Sequence, residues 1–78
     1  LGMGEPRLLR LIDVSVLGCR VERPADALIG RSVTVTFAGG VETHGWIVWS
    51  DGAECGIDFA EPLAEHDLSR IARPSQAR

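Results

Sequence analysis

The chain has 78 residues, with 8 arginines, no lysine and 11 acidic residues, for a net charge of −3. That length supports one small domain, near the lower limit for a core without disulfides or metal, and excludes a two-domain protein. Residues 1–31 are net +1, residues 32–67 net −7 and residues 68–78 net +3. No broad basic stripe exists to follow a nucleic-acid backbone, although a few arginines could hold one small anion.

No charged leader followed by an apolar run opens the chain, and no apolar run approaches the ~20 residues that span a bilayer. Cys19 and Cys55 do not make a disulfide framework. With His44 and His66 they would supply four zinc ligands on paper, but no close ligand pair exists, so no metal or cofactor is expected. A reduced, cytoplasmic domain follows.

The hydrophobic pattern has period two. Arg7 to Val14 is apolar on both faces and is predicted as a central strand covered on both sides. Cys19 to Arg23 alternates, with Cys19 and Val21 inward and Arg20 and Glu22 outward. Ser32 to Phe37 places Val33, Val35 and Phe37 inward. Ala38-Gly39-Gly40 is a tight turn, and Val41 to Trp49 completes the hairpin. On that strand Val41, Thr43, Gly45, Ile47 and Trp49 share one face; Glu42, His44, Trp46 and Val48 share the other. Ser50-Asp51-Gly52 turns again. Glu54 to Phe59 then points Cys55, Ile57 and Phe59 inward and Glu54, Gly56 and Asp58 outward.

Pro62 to Ala72 changes to helical spacing, with Leu63, Leu68, Ile71 and Ala72 on one face and Pro62 at its start. A single domain over residues 1–78 is expected, ordered over about 7–72, with tails at 1–6 and 73–78. The fold class is all-β: a small antiparallel barrel or open sandwich closed by a short C-terminal helix.

Catalytic constellations are weak. Asp13, Ser15 and His44 make a triad only on paper, because Gly-x-Ser-x-Gly is absent and a small barrel offers little cleft. Asp13-Val14-Ser15-Val16-Leu17-Gly18 is the most informative stretch. By itself it is a strand connection in which Asp13 and Ser15 accept from nearby backbone N–H groups. Gly18 permits either a left-handed backbone or a close approach. The same loop offers a carboxylate and a hydroxyl to a ligand.

This stretch resembles the Asp/Asn-x-Ser-x-x-Gly motif of PilZ domains. The resemblance continues through "IGRSVTVTF" and "THGWIVWSDGAECGIDFAEPL", and covers roughly Leu8 to Ile71. It implies a six-stranded Greek-key barrel and a bacterial signalling domain that binds cyclic di-GMP. The motif carries over as Asp13 and Ser15, which would meet guanine and phosphate, and Gly18. Arg10 and Arg20 flank it as the nearest candidate phosphate partners.

The family's second motif, Arg-x-x-x-Arg ahead of the first strand, has no counterpart here. Arginines stand at 7, 10, 20, 23, 31, 70, 73 and 78, and no two are four apart. Twelve residues before Asp13 are too few for both that arm and a first strand, which is the pattern of a chain whose upstream part is missing. The chain also counts one strand fewer than the family barrel, leaving an edge that another copy could pair. Two expectations follow: a cyclic di-GMP receptor domain with binding weakened or lost, or a degenerate adaptor of the same fold that binds a protein partner. They divide on the arginines. No enzymatic activity is expected.

Overall fold

The computed structural model describes residues 7–71. Five strands and one short helix follow in chain order: β1 (Leu11–Val14), β2 (Gly18–Glu22), β3 (Ser32–Thr36), β4 (Glu42–Ser50), β5 (Glu54–Phe59) and α1 (Glu65–Arg70). All strand pairs are antiparallel, in the order β1-β2-β5-β4-β3. β3, β4 and β5 form a meander, and β2 lies beside β5 rather than β3, which is a Greek-key connection. The sheet is not closed: β1 and β3 are its two edges.

Alternation explains the core. Cys19 and Val21 of β2, Ile47 of β4, and Cys55, Ile57 and Phe59 of β5 point to one side and are buried. Phe37 and Val41, which flank the tight turn, and Ile71 after α1 complete the cluster. The Phe37 and Phe59 rings meet edge to face, 6.2 Å apart at 82°, a geometry aromatic pairs favour. The turn between β3 and β4 is built on Gly39 and Gly40, whose φ values of 105° and 92° are costly for a residue with a Cβ.

Three expectations are corrected. Residues 7–10 are not strand, and β1 is an edge rather than a central strand: Leu8 is fully exposed and Leu9 partly so. The apolar run carries too few partners on its outer side to bury both faces. The helix begins at Glu65, not at Pro62. Leu63 precedes it and is tethered by its N–H donating to the Val16 carbonyl at 2.8 Å. Leu68 and Ile71 do reach the core from α1 and its C-terminal end. Trp49, expected inside, is 39% exposed, because the register of β4 shifts between Ile47 and Trp49. Ala72 and the predicted tails at 1–6 and 73–78 lie outside the described residues. No helix among the described residues is long and apolar enough to cross a membrane.

Candidate ligand-binding face

The predicted motif forms the connection between β1 and β2. Ser15 closes it twice. Its N–H donates to the Gly18 carbonyl at 2.9 Å, and its hydroxyl oxygen accepts from the Leu17 N–H at 3.2 Å. Two further bonds pin the loop to the body: the Phe59 N–H to the Leu17 carbonyl and the Leu63 N–H to the Val16 carbonyl. Gly18 does not use a left-handed backbone. It pairs with Asp58, and β5 passes so close that a Cβ at Gly18 would fall inside 3.0 Å of the Ile57 carbonyl oxygen. The motif glycine is therefore a close-approach residue.

Two β-bulges decide which side chains face outward. In β1, Leu11 opposes Val21 and Asp13 opposes Arg20, so Ile12 is the extra residue. Strict alternation from Leu11 would turn Asp13 into the core, where an ionised carboxylate is costly. The bulge turns it out instead. In β4, Ile47 opposes Ile57 and Trp49 opposes Gly56, so Val48 is the extra residue and Trp49 moves to the outer face. Bulges commonly re-aim a side chain in this way.

The consequence is one continuous outer row, Asp13, Arg20, Gly56 and Trp49, contributed by β1, β2, β5 and β4 in turn. The Arg20 guanidinium donates from Nη2 to Asp13 Oδ2 at 2.7 Å, and its Nη1 lies 3.6 Å from Glu54. Its Nε is covered and has no hydrogen-bond partner. The Asp13 carboxylate raises the Arg20 pKa further above its ordinary value. The Trp49 indole closes onto Gly56: a Cβ there would fall within 3.0 Å of its Nε1, Cε2 and Cδ1. Glycine at 56 is what lets the ring rest against the sheet. In the adjoining row Trp46, 45% exposed, opposes Asp58.

The sequence-predicted residues divide accordingly. Asp13, Ser15, Gly18 and Arg20 are brought to one end of the outer face. Arg10 lies just before β1. Its backbone N–H donates to Glu22 Oε1 at 2.6 Å and its carbonyl accepts from the Glu22 N–H. Arg7 forks onto Asp26 at 2.6 and 2.8 Å, away from the loop. The paper triad is not assembled, because His44 Nδ1 sits 2.9 Å from Thr34 Oγ1 on β3 while Asp13 holds Arg20. Of the four paper ligands, Cys19 and Cys55 are buried in the core, whereas His44 lies exposed on β4 and His66 exposed on α1.

Trp49 is the member of the face that alternation missed, whereas Gly56 was placed outward by it. The signal was available. An acid two residues after Leu11, and Ile47 followed by Val48 and Trp49, each break a clean period of two.

A small antiparallel all-β domain with a pinned polar loop beside an exposed aromatic and a paired arginine has the make-up of a binding module. The PilZ domain family profile matches residues 3–74. The chain belongs to that family, whose members are binding and receptor domains of the type that recognises cyclic di-GMP. No curated protein and no solved structure matches it.

Proposed function

We propose that this chain is a receptor domain for cyclic di-GMP in the bacterial cytoplasm, taking the ligand on the outer face beside the Asp13–Gly18 loop. The observation that carries this reading is the row produced by the two bulges. It aligns the motif carboxylate with an arginine and an exposed indole. Asp13 can accept from the N1–H and N2–H₂ edge of guanine. Arg20, once shared between Asp13 and the ligand, supplies the guanidinium for a phosphate or base edge. Trp49 offers a flat surface on which a base can stack, an interaction worth ~1–3 kcal/mol. Arg10 stands near enough in the chain to add a second positive charge.

The rest of the face weakens the affinity for a dianion. Glu54 lies against Arg20, and Asp58 sits one row along. No arginine pair at four-residue spacing offsets them. These acids, together with exposed Trp46, Val48 and Trp49, favour a second reading in which the same face docks a protein partner and no nucleotide.

Titration calorimetry with cyclic di-GMP separates the two. The receptor reading expects saturable heat, weakened by Asp13→Ala and by Ser15→Ala. No heat at several hundred micromolar ligand removes that reading and leaves the adaptor, which pull-down from the host then tests.

A further inference from the structure

β4 is an inner strand, paired with β3 on one side and with β5 on the other. Its outward side chains are therefore placed from both sides, and a further strand at either edge of the sheet would leave them where they are. Three of them, Trp46, Val48 and Trp49, are apolar and between 39% and 45% exposed. Trp49 closes onto Gly56. Trp46 has no glycine across from it: its partners are Ser32 on β3 and Asp58 on β5. Exposed apolar side chains grouped in this way mark interaction surfaces, and tryptophans are the usual anchors there.

The charge of the same face defines the partner. Within the five strands, register turns the carboxylates of Asp13, Glu22, Glu42, Glu54 and Asp58 outward, with Arg20 as the one guanidinium among them. Arg20 is already engaged by Asp13 and Glu54. His44, on the same side, bonds Thr34 at 2.9 Å. Among the described residues no cation pairs with Glu42 or Asp58.

Asp58 stands directly across from Trp46, and side chains so placed lie about 5 Å apart at Cβ. An indole beside an unpaired carboxylate attracts a cation in two ways, through the ring face and through the ion pair. A guanidinium uses both, because it is planar, stacks on rings and forks onto carboxylates. Phosphate-rich partners and anionic membranes meet the opposite field. The spacing of the carboxylates adds a length. Glu42 lies four residues from Trp46 along β4, and Glu54 four residues from Asp58 along β5 in the other direction. At a rise of about 3.3 Å per residue, the carboxylates follow one another at about 13 Å along the sheet.

We propose that the Trp46–Asp58 row receives an arginine from a basic, extended segment of a protein partner. Glu42 and Glu54 take the basic residues four positions to either side, and Val48 and Trp49 cover the apolar part of the segment. The proposal rests on the reading in which this face docks a protein, and it supplies that partner's chemistry.

NMR titration of the 15N-labelled chain with a synthetic peptide tests this. The peptide carries arginine at every fourth position in a glycine–serine background. Saturable shifts are expected at the Trp46 indole N–H and the Asp58 amide. Asp58→Asn and Trp46→Leu should each weaken binding about threefold to tenfold. Glu65→Gln removes the same charge from exposed α1 and should leave the affinity unchanged. Retained amide dispersion shows that each variant is folded. The proposal is overturned if no saturable shift appears at about 1 mM peptide. It is equally overturned if Asp58→Asn binds no more weakly than Glu65→Gln, or if a peptide with glutamine in place of arginine binds as well. Shifts of the Trp46 indole on phosphatidylglycerol vesicles, with none on the peptide, would assign the face to a membrane instead. A captured protein partner whose binding survives both Asp58→Asn and Trp46→Leu would keep the docking reading and remove this one.

Discussion

Gly18→Ala is the perturbation that best separates a structural role from a ligand-contact role in the motif. A Cβ there would lie inside 3.0 Å of the Ile57 carbonyl oxygen, with Ile57 C at 3.3 Å and Asp58 Cα at 3.4 Å. All three are backbone atoms, so no rotamer change relieves the clash. β2 and β5 must move apart by about half an ångström or more, and overpacking of that kind costs ~1–3 kcal/mol, with backbone-limited cases at the upper end. A domain of 78 residues has a total stability of ~4–12 kcal/mol. A loss of ~2–3 kcal/mol lowers Tm by ~10–20 °C at this size. Thermal unfolding followed by far-UV circular dichroism, without ligand, measures it. Gly52→Ala is the internal control, because a Cβ there meets nothing within 4 Å and Gly52 is not among the positive-φ glycines. It should hold Tm or raise it slightly. A Gly18→Ala Tm within ~3 °C of the unaltered chain, well below the shift expected for a clash of this size, would refute the close-approach argument.

Three further outcomes are expected. Burial pushes the Cys19 thiol up to about 12 and raises Cys55 as well. Both should resist a thiol reagent in the folded chain at pH 8 and react on unfolding; fast reaction of either in the folded chain would contradict their burial. Asp51 Oδ1 accepts from the Ala53 and Glu54 N–H groups, both at 2.8 Å, and these bonds hold its carboxyl below its ordinary range. A depressed folded-state pKa gives stability that is present above the unfolded value and lost as pH falls through the folded one. Asp51→Asn should therefore flatten the acid limb of the stability curve below about pH 4, and an unchanged limb would remove Asp51 from that role. Gly56→Ala should lift the Trp49 indole off the sheet, raising the accessibility of tryptophan fluorescence to a neutral quencher in a Trp46→Phe background. Unchanged quenching would mean that the ring does not rest there.

The core was legible because alternation maps directly onto burial in a one-sided sheet. Cys19, Val21, Ile47, Cys55, Ile57 and Phe59 all fell where period two puts them. Gly39 and Gly40 marked their turn for a steric reason that acts locally. The face was less legible because it depends on two residues, Ile12 and Val48, that break the period. A bulge is fixed by the partner strand as much as by its own residues, and the partner is not visible along the chain. Trp49 was misplaced for that reason. Asp13 was found only through the motif, since strict alternation from Leu11 points it inward. The extent of β1 was misread because consecutive leucines look the same whether they cover a core or precede an edge strand.

Binding of cyclic di-GMP on the bulge-made row from Asp13 to Trp49 is what we propose for this domain. Amide and indole NMR of the 15N-labelled chain, titrated with cyclic di-GMP, tests it most directly. Saturable shifts are expected at Asp13, Ser15, Gly18, Arg20 and Gly56 and at the Trp49 indole N–H, with the core amides of Cys55 and Ile57 following only weakly. Spectra that stay unchanged at high micromolar ligand, or shifts centred away from this row, would contradict it.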